Sequence, residues 1–367
     1  MIKPFDRKLI LEDGTEFFGY GFGSPEAKVT ELVFNTSAVG YQEIISDPSY
    51  TYQTVVMSYP LIGNYGVNAD DYETETPTIG GLVVREYNDE PSNWRSSETL
   101  SDVMKKYGIS GIYGVDTRKL VRLIRDYGSR RCLICGTDVS SEEGVKIIKE
   151  TPEPKDAVSK VSRKRITEYP SDGDLRIVAI DCGMKQNIVR SFNSRGVSVT
   201  VVPFDTTAEE ILKIKPDGVF ISNGPGDPTD AVPVIGAIKE LKGKLPIFGI
   251  CLGHQIISLA YGGRTYKLKF GHRGGNHPVK NLETDKIEIT SQNHSYAVDT
   301  ESLKGTKLKV THVNLLDGTV EGVECKEDKV FSVQYHPESA PGPQDSGYLF
   351  DKFIDICTAL RQESLTP

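Results

Sequence analysis

The spacing of apolar residues changes rhythm near residue 175. Before that point short alternating runs dominate. Residues 8–12 and 15–21 alternate about Asp13-Gly14, which predicts a β-hairpin. Further strand-like runs follow at 31–35, 54–58 and 80–85. Helical spacing is predicted over 100–107, stopping at Gly108. A second helix follows Asp116 as N-cap, with Leu120, Leu123, Ile124 and Tyr127 on one face and Gly128 beyond. Ser140 and Glu143 have the spacing of a capping box and predict a third helix ending near residue 150. Strands first and helices later predict a smaller mixed α+β N-terminal domain over 1–150. Thr151-Pro152-Glu153-Pro154 opens a charged stretch with weak apolar patterning, so 151–175 reads as a linker.

Beyond 175 strands alternate with helices. A strand is predicted over 175–181, a helix over 186–194, a strand over 197–202 and a helix from Ala208 capped by Thr207. This alternation predicts an α/β domain over 176–362, an open and mostly parallel sheet flanked by helices. Such sheets place their sites at the carboxyl ends of the strands. Hairpins are expected from Gly262 onward, including one at Asp317-Gly318, before a last helix over about 346–361.

Two predicted strands end in chemistry. The apolar run Leu245-Pro246-Ile247-Phe248 leads into Gly249-Ile250-Cys251-Leu252-Gly253-His254-Gln255. A strand entering Gly-x-Cys-x-Gly and then a helix is the thiol form of the nucleophile elbow. The glycines allow a sharp turn and close packing, the turn lifts the sulfur out at the sheet's end, and the helix start favours thiolate. The run Asp217-Gly218-Val219-Phe220-Ile221-Ser222 ends in Asn223-Gly224-Pro225-Gly226-Asp227-Pro228. That loop suits an oxyanion hole together with the Leu252 N–H, with a phosphate cradle or a plain turn as alternatives. No Lys-Ser/Thr follows it, which weighs against phosphate. Further on, a strand over 330–335 runs into His336-Pro337-Glu338. In extended chain His336 and Glu338 project to one side, and Pro337 stiffens the pair. The carboxylate can then orient the imidazole as in a Cys-His-acid triad.

The segments 222–228, 249–255 and 336–338 resemble, in order and spacing, the three signatures of class I (triad-type) glutamine amidotransferases. The resemblance implies a glutaminase in which Cys251 attacks the side-chain amide of glutamine, His336 protonates the departing ammonia and Glu338 orients His336. The N-terminal segments 33–37, 40–50, 58–66 and 115–118 are similar to the small-subunit family of carbamoyl-phosphate synthetases, and the likeness then covers nearly the whole chain. It implies substrate contacts from Ser49, Gly224, Gly226, Leu252, Gln255, Asn293, Ser295 and Tyr296. Ser295-Tyr296 stands where the family often has Gly-Phe; a need there for positive φ would strain Ser295. The resemblance also implies a large-subunit partner that uses ATP and Mg with bicarbonate, and a product for pyrimidine or arginine synthesis.

Composition narrows the rest. A net charge of −8 argues against nucleic acid as a main partner. No apolar run approaches the ~20 residues of a membrane span. The start lacks the apolar core of a signal peptide, and six scattered cysteines make no disulfide framework, so a cytoplasmic protein is expected. Cys132 and Cys135 read as strand residues, and His272 and His277 as loop histidines without a third metal ligand. No cofactor or metal is expected on this chain. It shows no P-loop, kinase-like glycine loop or adenylating motif, so the acceptor chemistry is expected on another polypeptide. The competing readings are a glutaminase of the anthranilate or guanylate type, and a non-catalytic docking scaffold.

Overall fold

The computed structural model describes residues 4–365. It divides into two compact units between Pro154 and Lys155.

In the first unit the strands are β1 (Arg7–Leu11), β2 (Glu16–Gly23), β3 (Lys28–Asn35), β4 (Gln53–Met57), β5 (Leu61–Ile62), β6 (Gly81–Val83), β7 (Glu86–Tyr87), β8 (Ser110–Tyr113) and β9 (Arg130–Gly136). All but β5 and β7 close a barrel in the order β1-β2-β8-β6-β4-β3-β9. The expected hairpin is present, with Leu9 opposite Phe17 and Gly14 at φ +87° in the turn. Helices α1 (Tyr41–Ser46), α2 (Leu100–Lys106), α3 (Thr117–Tyr127) and α4 (Ser141–Glu150) accompany the barrel. Asp116 caps α3 by accepting from the Lys119 N–H, and Ser140 caps α4 through the Glu143 N–H. Leu120 and Ile124 are buried on α3 as their spacing predicts, but Leu123 is only half-buried and Tyr127, expected on the same face, is 67% exposed. Cys132 and Cys135, three apart on β9, are free and buried; Cys132 contacts Thr30 while Cys135 joins Ile10 and Ile148.

The second unit holds α5 (Ala157–Val161), β10 (Thr167–Tyr169), β11 (Arg176–Asp181), α6 (Gln186–Asn193), β12 (Ser198–Pro203), α7 (Ala208–Ile214), β13 (Gly218–Ile221), α8 (Val232–Leu241), β14 (Ile247–Ile250), α9 (Leu252–Ala260), β15 (Thr265–Asn281), β16 (Ile287–Val298), β17 (Lys309–Asn314), β18 (Val320–Cys325), β19 (Val330–Val333) and α10 (Tyr348–Leu365). One sheet takes all ten strands in the order β10-β12-β11-β13-β14-β19-β18-β17-β15-β16. Thr207 and Glu210 complete a full capping box on α7.

Two expectations are corrected. The segment 151–175 is no bare linker, because β10 pairs antiparallel with β12 as the sheet's edge strand. The sheet is mixed rather than mostly parallel. Strands β12, β11, β13, β14 and β19 run parallel, whereas β18, β17, β15 and β16 join antiparallel. The hairpins expected after Gly262 extend the same sheet instead of standing apart, which buries the edge that β19 would otherwise expose.

The parallel half carries an aromatic layer. Phe248 stacks on Phe331 at 4.5 Å between centroids, and Phe220, Phe192, Phe350 and Phe353 meet edge to face around them. All six are buried. This packing clamps β14 to β19 in the register Phe248↔Phe331 and Ile250↔Val333. Phe248→Ala should leave a cavity and lower the stability of this unit by about 3–5 kcal/mol. Hydrogen exchange of the β14 and β19 amides measures it; unchanged protection would show that the aromatic layer does not hold these strands.

Candidate active site

Cys251 is the N-cap of α9 and directly follows β14. Its φ of +54° is rare for a residue with a side chain and marks a strained turn. The flanking glycines keep ordinary φ and serve close packing instead. A Cβ on Gly249 would stand 2.6 Å from Ile257 Cδ1, and one on Gly253 would stand 2.3 Å from the Ile221 carbonyl oxygen. The turn therefore falls on Cys251 itself, pinned by its N–H donating to the Val333 carbonyl at 2.9 Å. One expectation fails here. The sulfur is not lifted into solvent: Cys251 is 2% exposed, and its Sγ lies 3.5 Å from the Asn293 carbonyl oxygen. Strand β16 covers what the turn would otherwise expose.

His336 comes three residues after Val333, so the β14–β19 register brings it to the same end of the sheet. Its Nδ1 lies 2.7 Å from Glu338 Oε1, confirming that the two side chains share a side. Its Nε2 makes no hydrogen bond of standard geometry, and the Cys251 sulfur is its electrostatic neighbour. Burial opposes a charge on this ring, but Glu338 and Cys251 outweigh it and raise the pKa to about 10. Burial likewise opposes ionisation of Glu338, yet Lys185 and His336 hold its pKa down to about 2.

Lys185 was not foreseen from the sequence. It is 3% exposed, just before α6, and its Nζ lies 3.0 Å from Glu338 Oε1 and 2.5 Å from the Ser339 carbonyl oxygen. Asn187 donates to the Glu338 carbonyl at 2.5 Å. Glu338 is thus anchored from the start of α6 as well as from its own segment.

The loop 223–228 leaves β13 beside this turn. A Cβ on Gly224 would stand 2.1 Å from the Cys182 carbonyl oxygen and 2.8 Å from Leu252 Cδ2, so only glycine fits against the start of α9. Gly226 takes φ +89°. Leu252 is the first residue of α9, where a helix leaves its N–H without an intrahelical acceptor.

Comparison with known proteins agrees with this arrangement. Residues 178–356 match the family profile "Glutamine amidotransferase class-I", and 9–134 match "Carbamoyl-phosphate synthase small chain, CPSase domain". The chain is 53% identical over 361 residues to the carbamoyl phosphate synthase small chain of Staphylococcus haemolyticus, covering 98% of each. With that of Staphylococcus epidermidis it shares 54% over 358 residues, 97% of each. The pyrimidine-specific small chain of Halalkalibacterium halodurans is 52% identical over 360 residues, 98% of this chain and 99% of its own. This chain belongs to the carbamoyl-phosphate synthase small-chain family.

The remaining residues implied for the small-chain pocket fall in two places. Gln255, on α9, donates to the Tyr296 carbonyl at 2.8 Å and to Gln334 at 3.0 Å. Asn293, Ser295 and Tyr296 lie on β16. Ser295 has no positive φ, so the feared strain is absent, and its hydroxyl accepts from Arg273 at 2.5 Å. Ser49 lies in the N-terminal unit, in the turn Pro48–Tyr50, with its N–H donating to Asp47 Oδ1 at 2.9 Å.

The histidines need a correction too. His272 and His277 are strand residues on β15, not loop residues, and His272 gains carboxylate neighbours in Asp317 at 2.8 Å and Glu321 at 3.6 Å. Ligand atoms of His272, His294 and Glu321 lie within 4.8 Å of one another. Hydrogen bonds already engage much of this group. His294 meets the Tyr296 carbonyl at 2.7 Å and Gln292 at 2.9 Å, and Glu321 accepts from Asn314 and Gln292. The network braces the strand carrying Asn293 to Tyr296. His254, beside the elbow, is fully buried against Ser332, and burial lowers its pKa to about 3; it stays neutral and is no rival base.

The pH consequences have opposite signs. The charge on His336 contributes stability fully below its ordinary pKa of 6.5, and this is lost as pH rises through about 10. That of Glu338 is present above its ordinary 4.5 and is lost as pH falls through about 2. NMR of labelled histidine should therefore find His336 protonated to about pH 10. Cys251→Ala, which removes one of the two groups that raise it, should move that midpoint down by roughly one unit or more. An unmoved midpoint would mean that the sulfur and the imidazole do not interact.

Proposed function

We propose that this chain is the glutaminase subunit of a glutamine-hydrolysing carbamoyl-phosphate synthase, with Cys251 as nucleophile, His336 as general base and acid, and Glu338 as its orienter. The observation that carries the reading is the Cys251–His336–Glu338 line at the carboxyl ends of β14 and β19, in a chain that matches small chains over almost its full length.

With the proton of Cys251 already held by His336, the sulfur attacks the side-chain carbonyl carbon of glutamine. The oxyanion that forms takes hydrogen bonds from the Leu252 N–H and from the backbone about Gly224 and Gly226. His336 then donates its proton to the departing nitrogen, the C–N bond breaks, and ammonia leaves a γ-glutamyl thioester on Cys251. Water, deprotonated by His336, adds to the thioester; glutamate leaves and the thiol is restored. Glu338 keeps the imidazolium oriented and charge-balanced, with Lys185 fixing the carboxylate.

Gln255, Asn293, Ser295 and Tyr296 are proposed to hold the amino-acid end of glutamine, and Ser49 is added on the resemblance alone. Ammonia is mostly protonated in neutral water, so its use requires delivery to a second site. That site belongs to the large subunit, where ATP, Mg and bicarbonate are expected. No cofactor is assigned to this chain. Its place is the cytoplasm; among the described residues no helix is long and apolar enough to cross a membrane. The carbamoyl phosphate is proposed to serve pyrimidine or arginine synthesis.

Reconstituted with a large subunit, the chain should support carbamoyl phosphate synthesis from glutamine and from ammonia. Cys251→Ser should lower the glutamine-dependent rate by at least about 10³-fold and leave the ammonia-dependent rate intact. Equal loss of both, or a glutamine-active variant, would contradict the assignment.

A further inference from the structure

The segment 151–175, expected as a linker, has no part in the glutamine chemistry, yet it touches two loops of the site. Ala157, the first residue of α5, packs against the loop after β13: a Cβ on Gly226 would stand 3.1 Å from the Ala157 Cβ. Ser162 is 3% exposed, and its Oγ accepts from the Phe204 N–H at 3.0 Å. Arg163 then reaches Asp181 at the end of β11. Its backbone N–H and its Nε both donate to Asp181 Oδ2, at 3.0 and 2.9 Å. Asp181 is 3% exposed, so the guanidinium offsets a charge that burial alone makes costly.

The other oxygen of Asp181 faces the opposite way. Oδ1 accepts from the N–H groups of Gly183 and Met184, at 2.9 and 2.8 Å, and so shapes the turn between β11 and α6. That turn is tied to the loop after β13 as well. The Cys182 N–H donates to Ser222 Oγ at 2.9 Å, and the Lys185 N–H donates to Asn223 Oδ1 at 3.2 Å. Lys185 follows Met184 directly, and its ammonium lies 3.0 Å from Glu338. One carboxylate therefore joins Arg163 on one side to the backbone that aims Lys185 on the other. Arg163 has a second, separate partner. Its Nη1 donates to the Tyr169 hydroxyl at 3.2 Å, a contact that fastens β10 and does not involve the turn. The two contacts can be removed one at a time.

We propose that Arg163 is a positioning residue for glutamine hydrolysis, acting through Asp181 and the 182–185 turn to hold Lys185 on Glu338 and so to orient His336. The assignment rests on the functional reading above, in which Glu338 orients the imidazole. Without the guanidinium, Asp181 loses its counter-charge, the turn relaxes and Lys185 is no longer aimed. His336 then meets the sulfur and the leaving nitrogen in the right geometry less often, and small misplacements of this kind slow the chemical step. The groups proposed to hold the amino-acid end of glutamine lie on α9 and β16, so binding is spared and turnover falls.

The test measures glutamate release by the full chain reconstituted with a large subunit. Arg163→Gln should lower kcat roughly ten-fold and leave the KM for glutamine within about two-fold. Ammonia-dependent carbamoyl phosphate synthesis should be unchanged, which shows that fold and assembly are kept. Arg163→Lys, which retains the charge, should recover much of the loss. In a Lys185→Met background Arg163→Gln should cost nothing further, because the two residues act along one path and their effects do not add. Tyr169→Phe should turn over at the wild-type rate. Wild-type kcat in Arg163→Gln overturns the proposal. So does a full further loss in the Lys185→Met background, or an equal loss in Tyr169→Phe, since either makes Arg163 a fastening of the sheet edge only. Loss of the ammonia-dependent rate in both Arg163 variants overturns it in the same way. A wild-type complex that hydrolyses no glutamine removes the functional reading itself, an outcome that no Arg163 variant can produce.

Discussion

Strand β14 lies parallel to β19, with Ile250 beside Val333, and the Cys251 N–H closes the ladder on the Val333 carbonyl. From this one pairing the positions of the chemical groups follow. Parallel strands end at the same edge of the sheet, so the residue that turns out of β14 and the residues that run on from β19 must meet there. The stacked Phe248 and Phe331 hold the register, and a slip of one residue would send each side chain to the opposite face. The Cys251 sulfur and the His336 imidazole are thus positioned by the sheet and its core.

Burial then sets the electrostatics. Taken separately, a buried carboxylate, imidazolium and ammonium are each costly. Glu338 between His336 and Lys185 forms a connected group in which every charge has an opposite neighbour. In a low-dielectric setting these attractions are strong, and they hold His336 protonated and Glu338 ionised across the neutral range. The covered Cys251 sulfur lies in the same buried setting, where exclusion of water strengthens its attraction to the imidazolium. Burial pushes the thiol pKa values of Cys132, Cys135 and Cys357 up to about 12, 11 and 12, so these cysteines are poor nucleophiles.

Much of this was legible in the sequence wherever the signal was local. The elbow around Cys251, the period-two placement of His336 and Glu338, and the caps at Thr207, Asp116 and Ser140 all depend on residues within a few positions of one another. Lys185 escaped because its partner lies some 150 residues downstream and nothing in its own neighbourhood marks it. Strand β10 escaped because Thr167-Glu168-Tyr169, an exposed residue between two half-buried ones, is too short to carry an apolar pattern; pairing with β12 makes the strand, not propensity. The antiparallel half of the sheet was legible as hairpins but not as part of the same sheet, since which edge a hairpin joins is decided by tertiary pairing. For the same reason the cover of β16 over the sulfur was invisible, and exposure at the strand end was inferred instead.

The most direct measurement is to mix the reconstituted protein with isotopically labelled glutamine, quench in acid within the first turnover, and map the label by mass spectrometry. The account predicts a γ-glutamyl thioester on the peptide carrying Cys251, formed at the rate of ammonia release and absent after Cys251→Ser. Label on another residue, or ammonia released in a burst with no covalent glutamyl species, would contradict it.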